Sequence, residues 1–581
     1  MIIIDRPLTP NETAEVDGLQ VYHVPSTQES KSHNASRIYD WIDTIDKLGI
    51  KEQSPVQFFN WNGKSFWLHI RARLFNRLLE HAQFLDQISD LEHLLIEKPT
   101  IYTTAERAKY WKKWSTHSQL IYQEQSTPSS PAKSSNRKRF FNAFKGLFNK
   151  KLTPTNSVEY LFYSPSRNTL NIDGKLHDKT FQLLYDDLGD KALRIEYQIL
   201  PHYIPATTNP DFFNSPRKSP TIASDTALLS HILRKPWLGF EAILLLIRYN
   251  SRYCNYMSEF KFEYRDEVWT QLINELISSF KMSVVQLLLF ESLFSELMQR
   301  YQPKAVIATG ESNGIGRSFV EAAKNHSIPT FGVQHGDLPP NNIDYRYSEE
   351  IAPNAKTDYF FYWGEESKVN LMKQALYTPD QLIPVGQLEF EQIKARITVN
   401  EEVEQFKKKA PYPVVLFASQ PQQSSDSRTK TAYALASFCA NNQLACVLKL
   451  HPAEQRDGLH QKAFDELGIG DRIIEVNDDI YNLIYSTDYT STCYSTTAWE
   501  AMSMKKPVII IDPLELDLLG LKDEGSIYYI GSATPMPFEQ WKEKINRHVN
   551  HAYSLSYQKL GDRESSPSQK VLGFINSVIN R

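Results

Sequence analysis

Between residues 305 and 512 the chain carries six short runs that are apolar on both faces, AVIATG, TFGVQHG, YFFYWG, PVVLFAS, ACVLKLHP and PVIIID, each followed by a helically patterned stretch. A strand with one solvated face would alternate polar and apolar residues. Continuous apolar runs between helices instead require parallel sheets covered on both sides. The runs fall into two groups, one ending near 375 and one within about 380–545. A chain of 581 residues also exceeds what one hydrophobic core supports. The expected fold class is therefore α/β, with two Rossmann-like parallel-sheet domains facing a cleft.

Residues 1–124 mix short strand-like runs with helical ones such as FWLHIRARLFNRLLEHAQFL and read as an N-terminal α/β accessory region. Residues 125–155 include QSTPSSPAKSSNRKR, too polar to bury a core, and read as a linker. The first large domain is expected over 156–378, the second over 379–545, and a helical tail over 546–581. Helical stretches are expected at VWTQLINELISSF and VVQLLLFESLFSELMQRY.

A formal net charge of -4 gives no overall attraction to nucleic acid, so partners are sought locally. Cys254, Cys439, Cys446 and Cys493 lack metal-ligand spacing and read as buried small hydrophobes in a reducing compartment. MIIIDRPLTPNE lacks the pattern of a signal peptide, and AILLLIRYN is far short of a membrane span. The expected location is the cytoplasm. Within RKRFFNAFKGLFNKK, Phe140, Phe141, Phe144, Leu147 and Phe148 fall at helical spacing among basic residues. Residues 137–152 thus match an amphipathic helix on the anionic inner face of a plasma membrane, or one docked on a neighbouring domain.

The stretch TGESNGIGR has the letters of a dinucleotide-binding turn: strand, glycines, helix. No Tyr after Gly310 precedes a Lys at the four-residue spacing that hydride-transfer enzymes of this pattern use. The next strand ends in Gln334-His335-Gly336 where a ribose-selecting acid would stand. What remains is a crevice at the carboxyl ends of two strands, with Gly310, Gly314, Gln334 and Gly336 as its loop residues.

In CVLKLHP, Lys449 and His451 lie two apart and point to one side of a strand that Pro452 ends, a cation and an imidazole suited to phosphate or a base. DYTSTCYSTTAWEAM crowds Ser491, Thr492, Ser495, Thr496 and Thr497 before a helix, a pattern suited to an anion. Thr497 and Glu500 also fit a capping box, a purely structural use of the same residues.

Together, the His-Pro strand end, the hydroxyl loop with AWEAM and KKPVIIID, IPTFGVQHG, and VGQLEFEQI at Val385–Ile393 resemble nucleotide-sugar glycosyltransferases of the two-Rossmann, GT-B type. The nearest likeness is to bacterial enzymes of capsule and lipopolysaccharide synthesis, including sialyl- and Kdo-transferases, and to teichoic-acid glycerophosphotransferases. It covers roughly residues 300–545. The resemblance implies that His451 and Pro452 touch the donor's base or phosphate, that Ser495 and Thr496 hold phosphate, and that Glu500 grips the ribose. Ser419 and Gln420 would stand near the same phosphates. It implies no cofactor, the nucleotide sugar being a substrate, and a glycan or glycolipid as acceptor.

Transfer requires a base for the acceptor hydroxyl and groups that hold the leaving phosphate. His335 is the first candidate for the base, with Glu311 and Asp337 as alternatives. No Asp-x-Asp pair occurs, so metal-independent catalysis is expected, with Lys449 and His451 in place of a cation. A CDP-alcohol phosphotransferase, a sugar-nucleotide epimerase and a catalytically silent nucleotide-binding scaffold are the competing readings.

Overall fold

The structure is a computed structural model and describes residues 2–4, 21–23, 28–48, 53–61, 64–90, 100–104, 119–123, 158–166, 169–172, 174–197, 215–254, 266–312, 314–338, 342–349, 351–420, 425–451, 454, 456–513, 517, 519–531, 537–562 and 565–580. The linker at 125–155, the basic segment at 137–152 and Pro452 lie outside these residues.

Seven parallel strands form the first large sheet, in the order Thr221–Ala223, Ala192–Tyr197, Tyr160–Pro165, Ala305–Thr309, Thr330–Val333, Tyr359–Tyr362, Leu382–Pro384. Six parallel strands form the second: Ile473–Glu475, Ala445–Lys449, Val414–Ala418, Tyr489–Thr492, Val508–Ile511, Tyr528–Ile530. Numbered along the chain, both sheets begin 3-2-1-4-5-6, the doubly wound Rossmann order. All six apolar runs became strands of these sheets, and the fold class expected from them holds.

Four strands of the first sheet lie outside these runs, and in one of them the interior is ionic as well as apolar. In Ala192–Tyr197, Arg194 and Glu196 are buried to 1% and 0% exposure. Arg194 Nε lies 3.1 Å from Asp178 and its Nη1 3.3 Å from Glu196, which also meets Arg217 at 2.7 Å. Buried charges persist only when matched in this way. The sequence of such a strand reads as polar while its position is core.

The accessory region is α/β as expected: Val21–His23, Ile2–Ile4, Thr100–Thr104 and Gln119–Gln123 pair in parallel. Its helices Gln28–Leu48 and Trp67–Asp90 do not enclose a core apart from the first domain. Ile38, Ile42, Trp67, Ile70 and Leu74 join one continuous apolar cluster with Val306, Ala308, Phe319 and Phe294. At its edge the buried Arg71 Nε donates to Asp46 Oδ2 at 2.7 Å, and Trp67 Nε1 donates to Asp46 Oδ1 at 2.7 Å.

The first sheet extends past 378 to take in Leu382–Pro384, and Val385 and Leu388 of the VGQLEFEQI segment pack in that domain's core. The chain then returns. Ser566 caps the helix Pro567–Ile579 by accepting from Gln569 N, with Pro567 at its first position, where a missing N–H costs nothing. Val571 and Ile575 of this helix are buried against Tyr160, Phe162 and Phe331 of the first sheet. Phe574 meets Tyr359 edge-on at 5.2 Å. The preceding helix, Ile545–Leu560, instead buries Ala552 in the second domain. Among the described residues no single helix is long and apolar enough to cross a membrane.

Candidate functional site

In the first sheet Tyr160–Pro165 lies beside Ala305–Thr309, and the strand order reverses between them. Connections leave such neighbours in opposite directions, which opens a crevice at their carboxyl ends. A cavity of about 560 Å³ occupies this place. Of the residues expected to act here, Gly310, Gly314, His335, Gly336 and Asp337 line it. The helix Lys281–Tyr301 contributes Ser283 and Leu287 to its wall, and the accessory helix Trp67–Asp90 contributes His69 and Arg73.

The glycines of TGESNGIGR have a local reason. A Cβ on Gly316 would strike the carbonyl of Gly310. A Cβ on Gly314 would strike the imidazole of His69. The space above the turn is thus occupied by an accessory-region side chain. Burial, then the Arg73 and Arg317 guanidinium groups, push the His69 pKa well below its usual value, so the ring is neutral near pH 7. Sequence reasoning missed His69 and Arg73. Their four-residue spacing puts them on one helix face, but only packing brings that face to this turn.

Glu311 stands behind the wall at 4% exposure and accepts from Tyr345 Oη at 2.7 Å. Burial raises its pKa to about 7, against the pull of that hydrogen bond and of Arg317. Gln334, 2% exposed, is committed to the loop: Nε2 donates to Gly336 O at 2.9 Å and Ser367 Oγ at 3.0 Å, and Oε1 accepts from Trp363 N at 2.9 Å. These bonds fix the backbone on either side of His335. The carboxylate of Asp337 lies 3.0 Å from Lys559.

The second sheet reverses between Val414–Ala418 and Tyr489–Thr492, where Thr492 Oγ1 donates to Ala418 O at 2.8 Å. Ser419 and Gln420 follow one strand, and Ser495 and Thr496 follow the other, so these four residues flank the second switch point. Lys449 ends the adjacent strand and donates to Asp478 O at 2.6 Å; burial lowers its pKa against the pull of Asp479 and Asp478. His451 N donates to Ser419 Oγ at 3.3 Å, and Ser419 Oγ donates to Glu454. Glu454, which sequence reasoning passed over, also pairs with Arg428 at 3.2 Å and anchors the turn that carries His451.

The capping-box alternative for Thr497 and Glu500 is overturned. The helix is Thr497–Ser503, Thr496 stands at its cap without a side-chain cap bond, and Ser495 Oγ accepts from Thr497 N at 3.2 Å. Glu500 Oε1 instead accepts from Tyr481 Oη at 3.0 Å.

The two constellations meet at Lys559. Its ammonium group lies 3.0 Å from Asp337 and 2.8 Å from Glu366 of the first domain, and 5.8 Å from the ring centroid of Trp499, beside Glu500 in the second.

No family model matches the chain, and no curated protein matches it. Solved structures similar to it include S. aureus MnaA in a co-structure with UDP, at 14% identity over 73% of this chain and 97% of that one, with a TM-score of 0.42. The UDP-GlcNAc 2-epimerase from Neisseria meningitidis bound to UDP-GlcNAc is similar at 11% identity over 73% and 99% of the two chains, with a TM-score of 0.42. The wall teichoic acid polymerase TagF with CDPG is similar at 11% identity over 77% and 95%, with a TM-score of 0.39.

Proposed function

We propose that this chain is a GT-B glycosyltransferase that moves a sugar from a nucleotide sugar, CMP- or UDP-linked, to a growing bacterial surface glycan or glycolipid without a metal. The observation that carries the reading is the Lys559 junction. It ties the loop after His335, at one switch point, to the helix of Glu500, at the other. A transfer reaction needs two ligands brought together, and two open α/β sheets supply two crevices.

In this reading the nucleotide lies at the second switch point. Glu500 accepts from the ribose hydroxyls, Gln420, Ser495 and Thr496 donate to phosphate beside Ser419, whose own proton goes to Glu454, Lys449 offsets the phosphate charge, and His451 stands next to it. The acceptor lies in the first-domain cavity, whose lining mixes hydroxyl, imidazole and carboxylate groups with apolar Leu287 and Ile315, as a carbohydrate requires. His335 removes the proton from the attacking acceptor hydroxyl. The acceptor oxygen bonds to the anomeric carbon as that carbon's bond to the phosphate oxygen breaks, and the nucleotide leaves with the electron pair. An imidazole suits the base because the unperturbed ring titrates near neutral pH. Asp337, held by Lys559, serves the loop as an anchor, and Glu311 remains a reserve carboxyl behind it.

The test is a donor panel of CMP-, UDP-, GDP- and CDP-linked substrates with a pooled glycan acceptor, with and without EDTA, read by mass spectrometry. One donor is consumed only with acceptor, equally with EDTA, and the product gains a sugar mass. His335→Ala loses at least 100-fold in rate while still binding nucleotide. A product that gains glycerol phosphate assigns the phosphotransferase reading instead. Donor turned over without acceptor assigns the epimerase, and nucleotide bound with no turnover in any mixture assigns the scaffold.

A further inference from the structure

The accessory region reaches the cavity with His69 and Arg73 of one helix, and Arg73 differs from its neighbour Arg71. Arg71, two residues earlier, is 2% exposed and fully used: it binds Asp46 at 2.7 Å and Asp43 at 3.2 Å, and its Nη1 donates to Ile343 O at 3.5 Å. It staples the accessory helix to the first domain. Arg73 lines the cavity and donates to the neutral hydroxyl of Ser283. Among the described residues no carboxylate forms an ion pair with it. The acids that share the cavity wall are engaged elsewhere or face other cations. Asp337 is paired with Lys559, and burial raises the Asp344 pKa against the pull of Arg317 and Arg71, the cations it faces.

We infer that Arg73 of the accessory helix is a specificity-determining residue of the first-domain cavity, and that the ligand held there is a saccharide bearing an anionic group, a carboxylate or a phosphate. A guanidinium presents a planar fork of donors that matches either anion in two-point contact. The hydroxyl and amide side chains around it, Ser283, Ser312, Asn342 and Tyr345, supply the donors and acceptors that a sugar ring needs. Gly314 keeps the entrance compatible with this arrangement, because any larger residue would push His69, one turn before Arg73, away from the wall. The accessory region therefore selects the ligand as well as extending the core. This inference rests on the transfer reading for the ligand's identity as acceptor, but the recognition can be measured without turnover.

The experiment is calorimetric titration of the full-length protein with three matched oligosaccharides: one carrying a uronic-acid carboxylate, its carboxyl-reduced neutral counterpart, and one carrying a phosphate monoester. The wild type should bind an anionic member at least 10-fold more tightly than the neutral one. Arg73→Gln should abolish that preference, and Arg73→Lys should retain part of it. Unchanged nucleotide binding by the variants reports an intact fold. Preference for the carboxylate or for the phosphate names which anion the site takes. Equal binding of neutral and anionic sugars by the wild type, a preference that survives in Arg73→Gln, or no binding of any of the three overturns the inference. Failure of the transfer reading appears separately, as absence of donor turnover in the presence of bound saccharide.

Discussion

Lys559 and Asp337 form an ion pair at 3.0 Å across the junction of the two large domains, with the Trp499 ring centroid 5.8 Å from the same ammonium group. The lysine is 14% exposed and Asp337 39%. A pair so open on one side contributes about 0–1 kcal/mol to stability. Its position makes it more consequential for coupling than for folding. Lys559→Met should leave thermal stability within about 1 kcal/mol of wild type yet lower kcat/KM by on the order of 10-fold, through misplacement of the two half-sites. Calorimetry beside steady-state kinetics checks this; a large loss of stability with normal kinetics would reverse the assignment.

Glu311 sets a pH dependence whose sign follows from burial. Its folded pKa, about 7, exceeds the model-peptide value of 4.5. The folded state therefore holds the proton more tightly, and stability contributed by the protonated form is present below 4.5 and is lost as pH rises towards 7. Glu321, whose pKa burial also raises to about 7, adds to the same window. Glu311→Gln should flatten this decline and stabilise the protein at pH 8 by up to about 3 kcal/mol. Denaturant titrations at pH 5, 6, 7 and 8 measure it, and a wild-type profile that rises across this range would contradict the assignment.

Arg71 and Asp46 are both almost fully buried and paired at 2.7 Å. Removing Arg71 leaves Asp46 buried with the Trp67 indole N–H but no cation paired to it, and breaking a buried pair in this way costs about 3–5 kcal/mol. Arg71→Met should lose that much stability and loosen the accessory helix from the first domain. Hydrogen exchange of residues 67–78 should rise together with that of the turn after Thr309. Loss confined to the helix would mean that the two are not one cooperative unit.

Glu500 accepts from Tyr481 and makes no capping box. Glu500→Gln should therefore change stability by no more than about 1 kcal/mol and weaken nucleotide affinity about 10-fold, the loss of a charged hydrogen-bond acceptor. Titration with the nucleotide that the donor panel selects decides it. Unchanged affinity would remove the ribose role.

The parallel architecture was legible because strands such as Val414–Ala418 and Val508–Ile511 are apolar on both faces, and a local pattern records that directly. Ala192–Tyr197 was not legible as a core strand. Arg194 is tolerated there only because Asp178 and Glu196 converge on it, and the convergence is a tertiary fact. The site divides the same way. Ser419, Ser495 and Thr496 could be singled out because residues that follow apolar strands fall at sheet ends. Glu454, His69 and Arg73 could not, since nothing near them in the chain says what they face.

The sequence by itself determined the six doubly apolar strands, the two-sheet class and the loops that end at the crevices, because backbone periodicity and side-chain polarity act over a few residues. Tertiary structure decided which strands are adjacent and hence where each sheet reverses. It also decided that the last helix returns to the first sheet, that Lys559 lies between the domains, and that the accessory helix closes over Gly314. Those outcomes depend on contacts between segments tens to hundreds of residues apart, whose free energy comes from burying complementary surfaces and matching buried charges, and no local pattern encodes them.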